Sequence, residues 1–176
     1  MLLRWIPPLL HRKLYRLANE ARKLMWKITR PRLHGCRAVA LDPEGRVLLV
    51  RQSYGPKSWL LPGGGMGLKS DPVASAAREM LEETGCILRD GVLVEQFEIV
   101  LHGARILDHL VVGTTTGPIR ADEREIIEAG FFALDTLPSP LYKSHGEGLR
   151  RWIDEWERIR AGSGCASSIE AHSSES

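Results

Sequence analysis

Four glycines in five residues, Gly63-Gly64-Gly65-Met66-Gly67, stand just ahead of an Asp71-Pro72 pair, and this stretch constrains the chain most. Aspartate can cap free helix amides, and proline fits a first helical turn because its missing N–H would have no partner there. A helix is therefore predicted from Pro72 to about Thr84, with Gly85 at its left-handed C-terminal position. The chain must pass here from bare backbone into a helix whose start faces that backbone. Residues 56–69 read as irregular, apart from the apolar piece Trp59-Leu60-Leu61.

Elsewhere the apolar period sets the elements. Leu10, Leu14, Leu17, Ala21, Leu24 and Ile28 fall at alternating steps of four and three, which places them on one stripe of a helix. That helix begins at Pro7-Pro8, runs for about 20 residues, and ends at Pro31. Cys36 to Leu41 and Arg46 to Arg51 read as strands about an Asp-Pro-Glu-Gly turn. Gly91 to His102, Arg105 to Thr115 and Ile126 to Leu134 are further strands. Gly146 to Arg160 is a helix with Leu149, Trp152, Ile153, Trp156 and Ile159 on one side. Residues 161–176, rich in Ser, Gly and Ala, are expected to be disordered. The division expected is a basic helix over 1–33, a domain over 34–160 and a tail over 161–176.

At 176 residues the chain suits one domain with extensions. Its net charge of +2 is unevenly distributed. Residues 1–33 carry nine basic side chains against Glu20 alone, a net +8, which leaves −6 on the rest. Cys36, Cys86 and Cys165 are odd in number and far apart, which argues against a disulfide framework and for a cytoplasmic setting. No apolar run reaches the roughly 18–20 residues needed to span a bilayer, and the first residues lack the apolar core of a signal peptide.

The chemistry concentrates in Arg78-Glu79-Met80-Leu81-Glu82-Glu83. Glu79 and Glu83 are four apart and share a helical face, with Glu82 adjacent to it. Like charges at this spacing cost a helix only a few tenths of a kcal/mol each, so a solvated acidic face remains an alternative to a metal site. The glycine run favours the functional reading, because such loops and helix N-termini attract phosphates. Convergent carboxylates suit Mg²⁺ or Mn²⁺, and no Cys/His cluster with zinc spacing competes.

These residues resemble the box of the Nudix hydrolase family. Gly64 fills its first position, and Arg78, Glu79, Met80, Glu82, Glu83 and Gly85 fill theirs. Trp59-Leu60-Leu61-Pro62-Gly63 is similar to the family's approach to the box. Cys86 takes the final apolar place, Ser70 stands where the family has its first glutamate, and Lys69 stands where it has a glycine. The resemblance implies an α/β/α sandwich with a mixed sheet. It also implies a Mg²⁺- or Mn²⁺-dependent enzyme in which water attacks one phosphorus of a diphosphate within a nucleotide-type small molecule. By resemblance, Glu79 and Glu83 are the main metal ligands, and Glu82 is a third ligand or a water activator. The Gly63 or Gly64 carbonyl completes the site beside Gly65, and Arg78 orients a carboxylate. A further catalytic acid is expected from a later loop, with Glu125 preferred and Glu123 second among Asp122, Glu123, Glu125 and Glu128.

His102, His109 and His145 are weaker candidates for bases, and Tyr54, Trp59, Phe97 and Arg105 for substrate contacts. Ser70 keeps a second reading open, in which the same fold binds a nucleotide without hydrolysing it. The basic helix has three expected uses: packing on the acidic body or dimerising, lying on an anionic membrane, or binding nucleic acid. The last is disfavoured because no interleaved aromatic-basic motif is present.

Overall fold

A computed structural model describes residues 8–53, 57–121 and 125–170. Helix α1 spans Pro8–Thr29, and strands β1, β2 and β3 span Arg32–Leu41, Val47–Gln52 and Gly63–Met66. Helix α2 follows at Pro72–Thr84, then β4 at Ile87–Leu101, β5 at Ala104–Thr116, β6 at Ile126–Phe132 and α3 at Lys143–Glu170. The sheet order is β4-β5-β1-β2-β6, with β3 added to β1 off that path. β1 runs parallel to β5 and antiparallel to β2 and β3, so the sheet is mixed. β4 and β5 join through His102 and Gly103, both at positive φ as a tight two-residue turn requires.

Strand alternation divides the core into two layers. Val39, Leu41, Val47, Leu49, Leu110 and Val112 point to one face, where Leu149, Trp152, Ile153 and Trp156 of α3 cover them. Their neighbours Ala38, Ala40, Leu48 and Val111 point to the other face, against Ala76 and Met80 of α2. Small residues at 36, 38 and 40 let α2 approach β1 closely. Full burial of each large apolar side chain contributes about 1.5–3 kcal/mol. The result is an α/β/α sandwich, and no helix among the described residues is long and apolar enough to cross a membrane.

Three local expectations change. The glycine stretch read as irregular contains β3, because backbone pairing with β1 from His34↔Met66 to Arg37↔Gly63 needs no side chain. Helix α3 continues past Arg160 to Glu170, so the first part of the segment expected to be disordered is helical. Extending a helix already nucleated by its tryptophans is far easier than starting one. Residues 171–176 lie outside the described residues. Finally, where the side chains of α1 are described, its apolar stripe faces outward: Leu17, Ala21, Leu24 and Ile28 are exposed.

His145 ties the start of α3 to the sheet. The Leu61 amide donates to its Nδ1 at 3.1 Å within the buried interior. Burial pushes the imidazole down to about 3 from its ordinary 6.5, and the nearby Arg37 charge adds to this. Between those values the unfolded chain binds a proton that the folded chain refuses. Stability is therefore complete above pH 6.5 and lost as pH falls toward 3. Urea unfolding should show about 2 kcal/mol less stability at pH 5 than at pH 7 from this group. His145→Gln should lack that component; an equal loss in the variant would assign it to other groups.

Candidate active site

The site is built where α2 meets β3. Asp71 sits in extended backbone, φ −68° and ψ 128°, and its carboxylate accepts from the Ala74 amide at 2.7 Å. Pro72 opens the first turn, and Gly85 closes the helix at φ 72°, its amide donating to the Leu81 carbonyl. Ser70 is exposed and turns back to the Gly67 carbonyl through its amide at 3.0 Å. The cap is therefore supplied by Asp71, without Ser70.

With the helix so fixed, Ala76 and Met80 point into the core and two carboxylates point toward β3. Glu83 is 5% exposed, and its Oε2 accepts from the Gly63 amide at 3.1 Å. Glu79 lies against Gly64; a Cβ at that position would come within 2.7 Å of the Glu79 Cδ. Gly63 is restricted differently. Its φ of 153° disfavours side chains, and a Cβ would fall 2.8 Å from the Arg37 Cα, closer still to the Cys36 carbonyl. Gly65 is open, with nothing near where its Cβ would be. Cys36 Sγ lies 3.8 Å from the Gly64 carbonyl, and burial pushes the thiol up to about 11, so it stays protonated at neutral pH.

Arg78 forks across two glutamates instead of gripping one. Its Nη2 bonds Glu79 Oε1, and its Nη1 bonds Glu82 Oε2 at 3.0 Å. Glu82 stands on the outer side of the helix, with its side chain 60% exposed. Burial raises the Glu79 carboxyl above its ordinary value; Arg78 opposes this, while the charges of Glu82 and Glu125 add to it. Glu125 is thus near enough to sense Glu79, at the end of β2 where its carbonyl accepts from the Ser53 amide at 2.8 Å.

Among the described residues, no three Asp, Glu, His or Cys side chains stand close enough to hold one ion. Glu79 and Glu83 are gathered beside Gly63 and Gly64, and Glu82 is linked to Glu79 through the shared Arg78 guanidinium. The donor set still fits a hard divalent cation: every donor is oxygen, and negative charge is crowded around Glu79. A cation would offset that crowding, and Glu82 joins if it releases Arg78.

The other expected residues lie elsewhere or do other work. Glu123, Asp122 and Tyr54 lie outside the described residues. Glu128 pairs with Arg51. His102 is in the β4–β5 turn, and His109 is buried with its Nδ1 2.9 Å from the Gly35 carbonyl. Trp59 packs edge-on to Phe132, and Phe97 stacks on Trp152. Arg105 faces Glu98 at 3.7 Å near α1. One polar pair had no motif to announce it. Arg37 Nε bonds Asp108 Oδ2 at 2.6 Å, and Asp108 Oδ1, buried, has no partner. Only the β1–β5 register, which sets Gly35 opposite Asp108, brings these residues together.

A family model described as a NUDIX domain matches residues 32–155. The chain belongs to the Nudix family. Among curated Nudix relatives, the Bos taurus diphosphoinositol polyphosphate phosphohydrolase 3-beta is 40% identical over 63 residues, which is 36% of this chain and 38% of that protein. The match thus spans little more than a third of that relative. The MutT NUDIX hydrolase from Burkholderia pseudomallei has 26% identity and a TM-score of 0.59, over 70% of this chain and 97% of the other. A bifunctional NMN adenylyltransferase/ADP ribose pyrophosphatase from Francisella tularensis, complexed with AMP and a manganese ion, shares the fold. Its TM-score is 0.61 and its identity 16%, over 80% of this chain and 48% of that one.

The two glycines of this Nudix site should fail differently. Gly63→Ala meets backbone and should lower the melting temperature sharply. Gly64→Ala meets the movable end of Glu79; it should melt close to the parent yet lose most turnover. Parental turnover in Gly64→Ala would remove the close approach of Glu79 from the account.

Proposed function

We propose that this Nudix chain hydrolyses the diphosphate linkage of a nucleoside diphosphate attached to a second moiety. Water adds to one phosphorus as the bridging P–O bond breaks. The products are a nucleoside monophosphate and the phosphorylated second moiety, with a proton released. The observation that carries this reading is the pairing of Glu79 and Glu83 beside Gly63 and Gly64 on a family-matched domain.

In this reading Glu79 and Glu83 hold Mg²⁺ or Mn²⁺, and Glu82 serves as a third ligand or a proton acceptor after leaving Arg78. When bound, the cation supplies positive charge for the phosphate oxygens and makes water more acidic. Where Glu82 is a ligand, Glu125 takes the proton from the attacking water instead, a role its proximity to Glu79 favours. Arg78 opposes the burial that disfavours the charge of Glu79 and aims its carboxylate. Gly63, Gly64 and Gly65 leave the approach clear of side chains. Retention of all three glutamates favours hydrolysis over a role in binding alone, despite Ser70. The free, buried Cys36 and Cys86 fit a cytoplasmic enzyme.

The bovine relative favours one second reading, in which the diphosphate is carried by an inositol polyphosphate. A single panel of nucleotide sugars, dinucleoside polyphosphates, nucleoside triphosphates and diphosphoinositol polyphosphates separates the two. Turnover should require Mg²⁺ or Mn²⁺ and stop with chelator. Glu83→Gln should lose more than the roughly 10–100-fold typical of a supporting partner. A Glu83→Gln variant as active as the parent would sink the assignment. Saturable nucleotide binding without turnover would favour the sensor.

A further inference from the structure

Helix α1 sits on the body with the wrong face for a helix that serves only the fold. At about 100° per residue, Asn19, Lys23 and Trp26 share one side of α1, and Leu17, Leu24 and Ile28 the opposite side. The polar side is the inner one. Asn19 is only 8% exposed, and the helix backbone rests on the β4–β5 turn, where a Cβ on Gly103 would meet the Trp26 carbonyl at 3.1 Å and the Lys27 Cα at 3.3 Å. The apolar side faces outward, with Leu17 70%, Leu24 62% and Ile28 75% exposed. Met25 is exposed beside them. A row of large aliphatic side chains in water is unfavourable unless something covers it.

Charge indicates what that cover is. Lys27 and Arg30, with Arg105 of β5, line a concavity of about 530 Å³ between the end of α1 and the β4–β5 turn. The segment 1–33 carries net +8. Stacking the stripe on that of a second copy would bring two such segments together, with like charges opposed. An anionic bilayer instead takes the aliphatic row into its headgroup–acyl boundary and sets lipid phosphates against the cations.

We propose that the outer face of α1 docks this chain on an anionic lipid bilayer. Leu24 and Ile28 insert, while Lys27, which flanks them, and Arg30 and Arg105 at the end of the helix meet lipid phosphates at headgroup level. This docking is independent of the hydrolytic reading.

The test is co-sedimentation of the full chain with vesicles of phosphatidylcholine alone or mixed with phosphatidylserine. The parent should pellet with the mixed vesicles and be released by salt. Leu24→Glu with Ile28→Glu should weaken binding by roughly tenfold or more, as should Lys27→Glu with Arg30→Glu, while both keep the parental circular dichroism spectrum. Recovery of the parent in the supernatant with mixed vesicles overturns the proposal. So does equal pelleting with both vesicle types. Sedimentation velocity showing a dimer that Ile28→Glu dissolves, without vesicle binding, assigns the face to a second copy instead.

Discussion

The hydrogen bond from the Gly63 amide to the Glu83 carboxylate joins the two halves of the site. It spans 20 residues of sequence and fixes the last turn of α2 against the first residue of β3. A carboxylate this deeply buried is costly unless hydrogen-bonded, because burial removes its water. The bond therefore does two things at once: it offsets the desolvation of Glu83, and it holds α2 in the rotation that turns Glu79 onto Gly64. Removing the carboxylate would leave the buried Gly63 amide unmatched, which costs more than the bond is worth.

Around that bond the site balances opposing charges. Glu79 lies between the burial that disfavours its charge and the Arg78 guanidinium that restores it, with Glu82 and Glu125 pressing from the same sign. Arg78 is the movable part of this balance, since it is half exposed and shared between two carboxylates. The sheet beneath is rigid by comparison, because β1 is hydrogen-bonded to β5 along its whole length.

What the sequence made legible was local. Asp71-Pro72 and Gly85 are read by the backbone within a few residues, so α2 was foreseen to its ends. The 3.5-residue stripe foretold α1, and strand alternation foretold the core faces. Hidden features depended on distant partners or on direction. β3 has almost no side chains with which to declare a strand, and its pairing comes entirely from β1. Periodicity showed that α1 has an apolar stripe but not which way the stripe points. Arg37 and Asp108 meet only through register. The spacing of Glu82 placed it near the acidic face, but only the structure shows Arg78 shared between it and Glu79.

β2 and β3 divide one edge of β1 between them: β3 takes its beginning, from His34 to Arg37, and β2 takes its end at Leu41. The chain that arrives at Gly63 is clamped before it gets there. Leu60 exchanges backbone hydrogen bonds with Val50 of β2, the Leu61 amide donates to His145, and the Pro62 carbonyl accepts from the Ala38 amide of β1. Trp59, Leu60 and Leu61 are all buried. Four consecutive residues thus deliver the glycine to its place opposite Arg37. One residue added or removed within 59–62 would slide Gly63 along β1 and away from the Glu83 carboxylate, so the spacing from Trp59 to Gly63 is as much a part of the site as the glutamates.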